Sequence, residues 1–518
     1  MKVDKIIYNG KCQTMKKKAV VDWLAIKGDQ IIKTGTGDGY KEYINKDTLL
    51  IDAKGATVSP GFIDSHFHMV QTAVNSTCVD LTDATSFDEI GKLIIKEGNR
   101  NPESEIHCIR LDVSKLKEHR FPNRHEIDKY WDRSPIWINS IEYQMSAVNT
   151  YGILFYKIPF NTVGVLCDEK QMPTGVFTAS ANAKLRSNIL NSISDFYKQN
   201  AIESIMGDLA EKGLTTINAV EGGYMFSDRD AEFINALINR KEVYLDMELF
   251  FQTLDINRII EMGLKRIGGC LYVDGTFGMR TAAISFEYKD AKGEHGILRF
   301  TQEKLNSFVE ECYKRGLQLA LYTIGDRAID IAIKAHERAV DLTGNLSLRH
   351  RLEHGELPSK EHIKKAKDLG LIFSVQPTYE YYWGGKGSMY EERLGDYYME
   401  TNPFRYMLDQ GLLLCAGSDS DVIPCDPMLC IFSAVNRKVK KHNISVYEAL
   451  EMITSNAAYA IFQEDKKGYL EEGYLADIVV LNKDIFDIKA EDLKEVKVVA
   501  TIKSGKIVYG DSDNYAKC

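Results

Sequence analysis

Three features are scarce in this sequence, and each scarcity removes a class of function. No stretch of about 18 uncharged apolar residues occurs, so nothing reads as a membrane-spanning helix. The start, Met1-Lys2-Val3-Asp4-Lys5-Ile6-Ile7, lacks the basic-then-apolar layout of a secretory leader, and a cytoplasmic protein is expected. None of the ten cysteines stands in a Cys-x-x-Cys pair, which excludes the regular framework of a small secreted domain and reads as reduced, mostly core thiols. Charge of one sign is thin as well. A net charge of -9 over 518 residues argues against a nucleic-acid or anionic-membrane partner and for a small, neutral or mixed substrate.

What is present suits a large globular protein. Apolar residues make up 44% and charged residues 27%, enough for sizeable cores. The length exceeds one ordinary unit but accommodates a (β/α)8 barrel of ~250 residues with insertions and a second module. Residues 1–56 read as short strands, with Asn9-Gly10 and Gly28-Asp29 as hairpin signals. Ala476 to Leu481 and Val499 to Tyr509 read the same way. Neither set has enough strands to bury its own face, so 1–56 and 466–518 are expected to combine into one small β-sandwich flanking a barrel over 57–465. Between about 70 and 205 the pattern is mixed, as an insertion after the first barrel strand would be. From 213 onward seven strand-like runs alternate with mostly helical segments: 213–217, 242–247, 269–273, 317–322, 349–354, 372–375 and 412–417. With Phe62 to His68 they make eight, the number of a closed parallel barrel.

The chemistry gathers at the C-terminal ends of these runs, which converge on one mouth if the barrel closes. His66 and His68 are two residues apart, the spacing that puts two imidazoles on one face of a strand. Cys270, Asp274, Tyr322, His354, Gln376 and Asp419 fall at other strand ends. Histidine and carboxylate ligands suit zinc or another divalent first-row metal, with Asp419 the natural proton acceptor. Arg280 and Arg327 carry paired donors for a substrate carboxylate, and Trp383 closes an aromatic run that would wall the mouth.

Pro60-Gly61-Phe62-Ile63-Asp64-Ser65-His66-Phe67-His68 resembles the metal-binding first strand of the amidohydrolase superfamily. Val273 to Ala282, Ile324-Gly325-Asp326-Arg327-Ala328, Arg349 to His354, Ser374 to Thr378 and Gly468 to Asp477 are similar to its amidohydrolase 3 group, which includes YtcJ-like proteins and N-substituted formamide deformylases. The resemblance implies a (β/α)8 barrel, hydrolysis of non-peptide C–N bonds, and His66, His68, His354 and Asp419 as metal-site residues. Four positions depart from the group's pattern: Cys270 replaces its metal-bridging lysine and Tyr322 its strand-five histidine, while Gln144 and Tyr379 stand for two further histidines.

The expectation is therefore a metal-dependent amidohydrolase with one zinc per chain favoured over two. His66, His68 and Asp419 would hold the metal, with Cys270 and His354 as further ligands; Asp419 and His354 would be catalytic. Arg280, Arg327, Tyr322, Gln376, Trp383 and Gln144 would contact a small-molecule substrate. The alternatives are a lyase, isomerase or deaminase on the same barrel, or a ligand-binding protein that has lost catalysis. Oligomeric state is open, with a homodimer the commonest default.

Overall fold

The structure is a computed structural model that describes residues 2–141, 143–223, 226–241, 243–510 and the backbone of 516–517. Its packing divides the chain into two units. One comprises Met1–His68, Met206–Glu221 and Ile234–Cys518; the other comprises Met69–Ile205 and Gly222–Phe233. The second unit takes in 222–233, which the sequence pattern assigns to the barrel.

The first unit contains eight parallel strands paired in chain order. They are β1 (Phe62–Phe67), β2 (Leu214–Glu221), β3 (Asp246–Phe251), β4 (Arg266–Tyr272), β5 (Gln318–Thr323), β6 (Arg351–His354), β7 (Ile372–Val375) and β8 (Leu413–Ala416). All six residues of β1 and all eight of β2 are buried, as expected of parallel strands covered on both faces. The barrel closes just past β8. There the Asp419 amide donates to the His66 carbonyl (2.8 Å), and the His68 amide donates to the Ser420 carbonyl (3.0 Å).

Two expectations need correction. The third strand lies at 246–251 rather than 242–247. Its charged residues hide it from an apolar-run reading, yet each is neutralised by a distant partner: Glu248 by Arg266 (2.7 Å) and Asp246 by Lys503 (2.9 Å). Asn9-Gly10 is not a hairpin turn. Lys5–Tyr8 pairs with Trp23–Lys27, whereas Lys11–Gln13 pairs with Val20–Val21 in a different sheet. Asn9 has φ +54°, and a Cβ on Gly10 would come within 2.9 Å of Val58, so this corner carries the chain from one sheet to the other.

Those two sheets hold both termini. One has five strands around Lys5–Tyr8; the other has six, with N-terminal Thr57–Pro60 antiparallel to C-terminal Ile478–Leu481. Ile7, Leu24 and Ile26 from the first share a core with Val58, Ile478, Val480 and Ile502 from the second. A buried ion-pair network ties the sandwich to the barrel. Lys503 Nζ, 4% exposed, reaches both carboxylate oxygens of Asp477 (2.9 and 3.0 Å) and Asp246 at the start of β3 (2.9 Å).

The second unit has a six-stranded mixed sheet in the order Val165–Cys167, Pro173–Thr178, Met145–Val148, Ile136–Ser140, Ile106–Leu111, Val79–Asp80. Helix Phe87–Arg100 packs with the core of Ile94, Ile106 and Ile138; helices Thr150–Tyr156 and Ala179–Ser192 pack with the core of Trp137, Val148 and Phe177. Ser86 caps the first of these helices by accepting from the Glu89 amide. No helix among the described residues is long and apolar enough to cross a membrane.

Two stability predictions follow from buried polar groups. Replacing Lys503 with Met leaves the buried Asp477 carboxylate with the Ser504 amide (2.8 Å) and Lys467 (3.8 Å) alone and is expected to cost about 3 kcal/mol, read as a lowered midpoint in denaturant. His336, buried beside Tyr313 and His350, is pushed down to about 3 by burial. Its neutral form therefore contributes stability fully above its unfolded pKa near 6.5, and loses it as pH falls from 6.5 toward 3. His336→Leu should show a smaller fall in denaturation midpoint between pH 7 and 4 than the unsubstituted chain.

Candidate metal centre

The closure of the barrel assembles the site. His66 lies in β1 and His68 one residue past its end; their ring centroids are 5.5 Å apart. Cys270 lies in β4 and Asp419 follows β8. A Cβ on Gly417 would sit 2.4 Å from the His66 amide nitrogen, so glycine alone lets the chain pass this close. Asp419 itself takes φ +57°, a conformation held by the barrel-closing hydrogen bonds.

The donor atoms of His66, His68, Cys270 and Asp419 all lie within 4.8 Å of one another, and all four residues are buried. Asp419 Oδ1 is 3.3 Å from His66 Nε2 and 3.1 Å from His68 Nε2. Cys270 Sγ is 3.3 Å from the first nitrogen and 3.6 Å from the second. In a tetrahedral site with metal–nitrogen and metal–sulfur bonds of ~2.0–2.3 Å, neighbouring ligands stand ~3.3–3.8 Å apart, so these separations fit one small divalent cation.

The opposite edge of each imidazole is already fixed. His66 Nδ1 meets Glu353 Oε2 at 2.6 Å, and His68 Nδ1 meets the Val220 carbonyl at 2.9 Å, which directs both Nε2 atoms to the common point. Glu353 is in turn held by Arg351 Nε (2.7 Å) and Nη2 (2.9 Å). Burial pushes Glu353 up, but Arg351 and then His66 outweigh it and hold the carboxyl down at about 2. Asp64 accepts from the His66 amide (3.0 Å) and the Ser418 amide (3.0 Å), pinning β1 to the segment bearing Asp419.

Electrostatics agree with the geometry. Burial opposes charge on every donor, yet the imidazoles of His66 and His68 hold Cys270 down at about 5, and His66 heads the groups that hold Asp419 well below the usual carboxylate range. Against the same burial, Cys270 and Asp419 lift His68 to about 10. The cluster is thus two cations against two anions. Neutral imidazoles with a divalent cation would preserve that balance.

The remaining predicted residues divide. His354 ends β6 with φ +68°; its ring stands 5.2 Å from that of His66, and neither ring nitrogen makes a hydrogen bond among the described residues. Gln376, just past β7, is also buried, with both amide atoms lacking such a partner. Tyr322 lies inside the barrel against His354 (4.3 Å between centroids) and points its hydroxyl at the Gly275 carbonyl (3.5 Å). Trp383 is half-buried on helix Pro377–Trp383, its ring 4.6 Å from that of Tyr379. Arg280 commits its Nε and Nη2 to Asp290 (3.0 and 2.6 Å). Arg327 is exposed in the first turn of helix Asp326–Thr343, and Gln144 is half-buried in the second unit.

Among the described residues the Asp274 carboxylate bonds only backbone amides, those of Ala283, Ile324 and Gly325, and so braces loops. Sequence reasoning gave no role to Glu353, Arg351 or Asp64. The signal that could have found them is two charges, Arg351 and Glu353, at i and i+2 on one face of a barrel strand, a pattern that requires partners once buried. Tyr379, expected as a departure from the group's histidine and as the start of an aromatic wall, donates its hydroxyl to Asp419 Oδ2.

Comparison with known proteins places this arrangement among relatives. An amidohydrolase family model matches residues 49–509. A putative amidohydrolase of Bacillus subtilis, YtcJ, is 26% identical over 93% of this chain and 95% of its own length. An N-substituted formamide deformylase of Arthrobacter pascens is 24% identical over 98% of each chain. An uncharacterised metal-dependent hydrolase of Pyrococcus furiosus shares the fold with a TM-score of 0.75 at 24% identity, covering 93% of this chain and 99% of that one.

Glu353→Gln keeps the shape beside His66 but removes the charge. It is expected to weaken divalent-metal binding about 10–100-fold in a chelator competition, with circular dichroism unchanged; unaltered affinity would assign Glu353 to packing alone.

Proposed function

The chain belongs to the amidohydrolase family, and from that membership we propose that it is a mononuclear zinc hydrolase acting on a non-peptide C–N bond of a small amide. The observation that carries this reading is the convergence of two imidazoles, a thiol and a carboxylate on one point with their outer edges fixed. His66, His68, Cys270 and Asp419 would hold the cation. The thiolate favours zinc over magnesium or manganese on grounds of softness. A single ion is supported by Cys270 joining the same four-donor group and by Tyr322 directing its hydroxyl at a backbone carbonyl.

When bound, the cation supplies Lewis-acid activation of water and of the scissile carbonyl. The protein's own groups do the rest. Asp419, a carboxylate at the same point as the other donors, would be the group that takes the proton from water and passes it to the leaving nitrogen. Tyr379 holds its Oδ2, fixing the carboxylate plane and leaving Oδ1 toward the two imidazoles. His354 and Gln376 offer buried polar atoms whose geometry makes no hydrogen bond among the described residues. A primary amide side chain carries both a donor and an acceptor, the complement of an amide substrate's own N–H and C=O. The sequence relationship to an N-substituted formamide deformylase supports N-formyl and other N-acyl compounds as the first substrates to examine.

The purified chain should carry about one zinc, and His66→Ala and Asp419→Asn should each abolish hydrolysis in a screen of N-formyl, N-acyl and cyclic amides. Cys270→Ser should lower zinc content as well as activity. A chain that takes up no zinc sinks the proposal, and two ions per chain would remove its mononuclear part.

A further inference from the structure

A second cavity opens in the first unit, lined by none of the metal donors and by neither His354 nor Gln376. It measures about 580 Å³, the size of a small-molecule site. The loop after β4, the start of helix Asp326–Thr343, the turn from β6 into helix Lys360–Asp368, and residues 397–409 with Lys441 and His442 border it. These walls are fastened to one another. The Ser285 amide donates to Asp326 Oδ1 (2.9 Å), the Leu357 amide donates to the Ile324 carbonyl (3.1 Å), and the His442 ring meets the Met399 carbonyl (2.9 Å). The cavity is therefore formed in advance of any ligand, which keeps the ordering cost of binding low.

Its apolar lining is largely aromatic. Phe286 and Tyr397 stack, with ring centroids 3.7 Å apart and planes 13° from parallel, and Tyr406 adds a third ring. Tyr397 is 50% exposed, so it has ring surface left for a further planar group to meet.

Lysine, arginine, aspartate and glutamate contribute six side chains to the lining, three of each sign, and four of them are committed. Lys441 pairs with Glu400 (2.6 Å); Arg405 is held by Asp409 (2.7 Å) and, from outside the lining, by Glu448 (2.8 Å). Burial pushes the His442 imidazole down, so it adds no charge at neutral pH. Two charges stay open. The Lys360 ammonium stands 5.6 Å from the centre of the Tyr406 ring and Asp326 accepts the Ser285 amide, and among the described residues neither makes an ion pair. Covering either with an uncharged group would strip its water without return. One open ammonium, one open carboxylate and an aromatic lining together complement a molecule that carries a carboxylate, an ammonium and an aromatic side chain. We propose that this cavity is a second ligand site, taking a free aromatic amino acid: Lys360 meets its carboxylate, Asp326 its ammonium, and Phe286, Tyr397 and Tyr406 its ring.

Titration calorimetry on the full, metal-loaded chain tests this with phenylalanine, with 3-phenylpropionate, which lacks the ammonium, and with phenethylamine, which lacks the carboxylate. Phenylalanine should bind saturably, and each truncated probe about tenfold more weakly or worse. Lys360→Met should weaken phenylalanine about tenfold without weakening phenethylamine. Asp326→Asn, which can still accept the Ser285 amide, should weaken phenylalanine to a similar degree without weakening 3-phenylpropionate. Tyr397→Ala should weaken all three probes, with melting temperature and metal content unaltered. Phenylalanine affinity should be the same once the metal is stripped, which separates this site from the metal centre. An absence of saturable phenylalanine binding up to ~10 mM overturns the proposal. So does binding that survives both Lys360→Met and Asp326→Asn, or that is lost with the metal. A 3-phenylpropionate affinity equal to that of phenylalanine overturns the assignment of an amino acid.

Discussion

The site depends on the seam where the barrel closes. The amides of Asp419 and His68 donate to the carbonyls of His66 and Ser420, and the Asp64 carboxylate grips both sides of the same joint. These bonds satisfy the backbone of two strand ends that would otherwise be buried without partners. They also bring the Asp419 carboxylate against the two imidazoles. Fold closure and assembly of the donor set therefore share the same hydrogen bonds.

Around that seam the barrel interior is unusually charged for a core. Arg351, Glu353, His66, Cys270 and Asp419 are all buried, and each would cost several kcal/mol if taken out of water alone. They persist because the charges are chained: guanidinium to carboxylate, carboxylate to imidazole, imidazole to thiol and aspartate. Such a chain is a poor source of stability and a good source of orientation. It holds the ligand nitrogens in place and raises their basicity. The sandwich uses the same device at Lys503, Asp477 and Asp246, where its benefit is register between the termini and β3.

The departures from the family's usual residues are internally consistent. Cys270, where the resemblance implies a lysine, places its sulfur with the other donors. Tyr322, where it implies a histidine, packs its ring on His354 and turns its hydroxyl toward the Gly275 carbonyl. Tyr379 holds Asp419 through its hydroxyl. Together they leave four donors on one point, with buried polar atoms of His354 and Gln376 beside them that make no hydrogen bond among the described residues.

Local pattern was enough for much of this. The His-x-His spacing on a strand, the eight strand-like runs and the paired terminal strands were all legible, because alternation and apolar runs report burial directly. The misplaced β3 and the misread Asn9 corner show the limit: a charged strand looks like a loop until its ion partners, on the next strand and near the far end of the chain, are known, and a turn signal does not say which sheet the chain enters next. Strand spacing gave the eight runs of the barrel and the paired terminal strands, and the resemblance to the amidohydrolase superfamily added the candidate ligands. Tertiary structure alone decided that Glu353 and Arg351 orient His66, that Arg280 is engaged by Asp290, and that Tyr379 holds Asp419. Those roles belong to pairs of residues brought within about 3 Å by chain closure, and sequence separation carries no information about such distances.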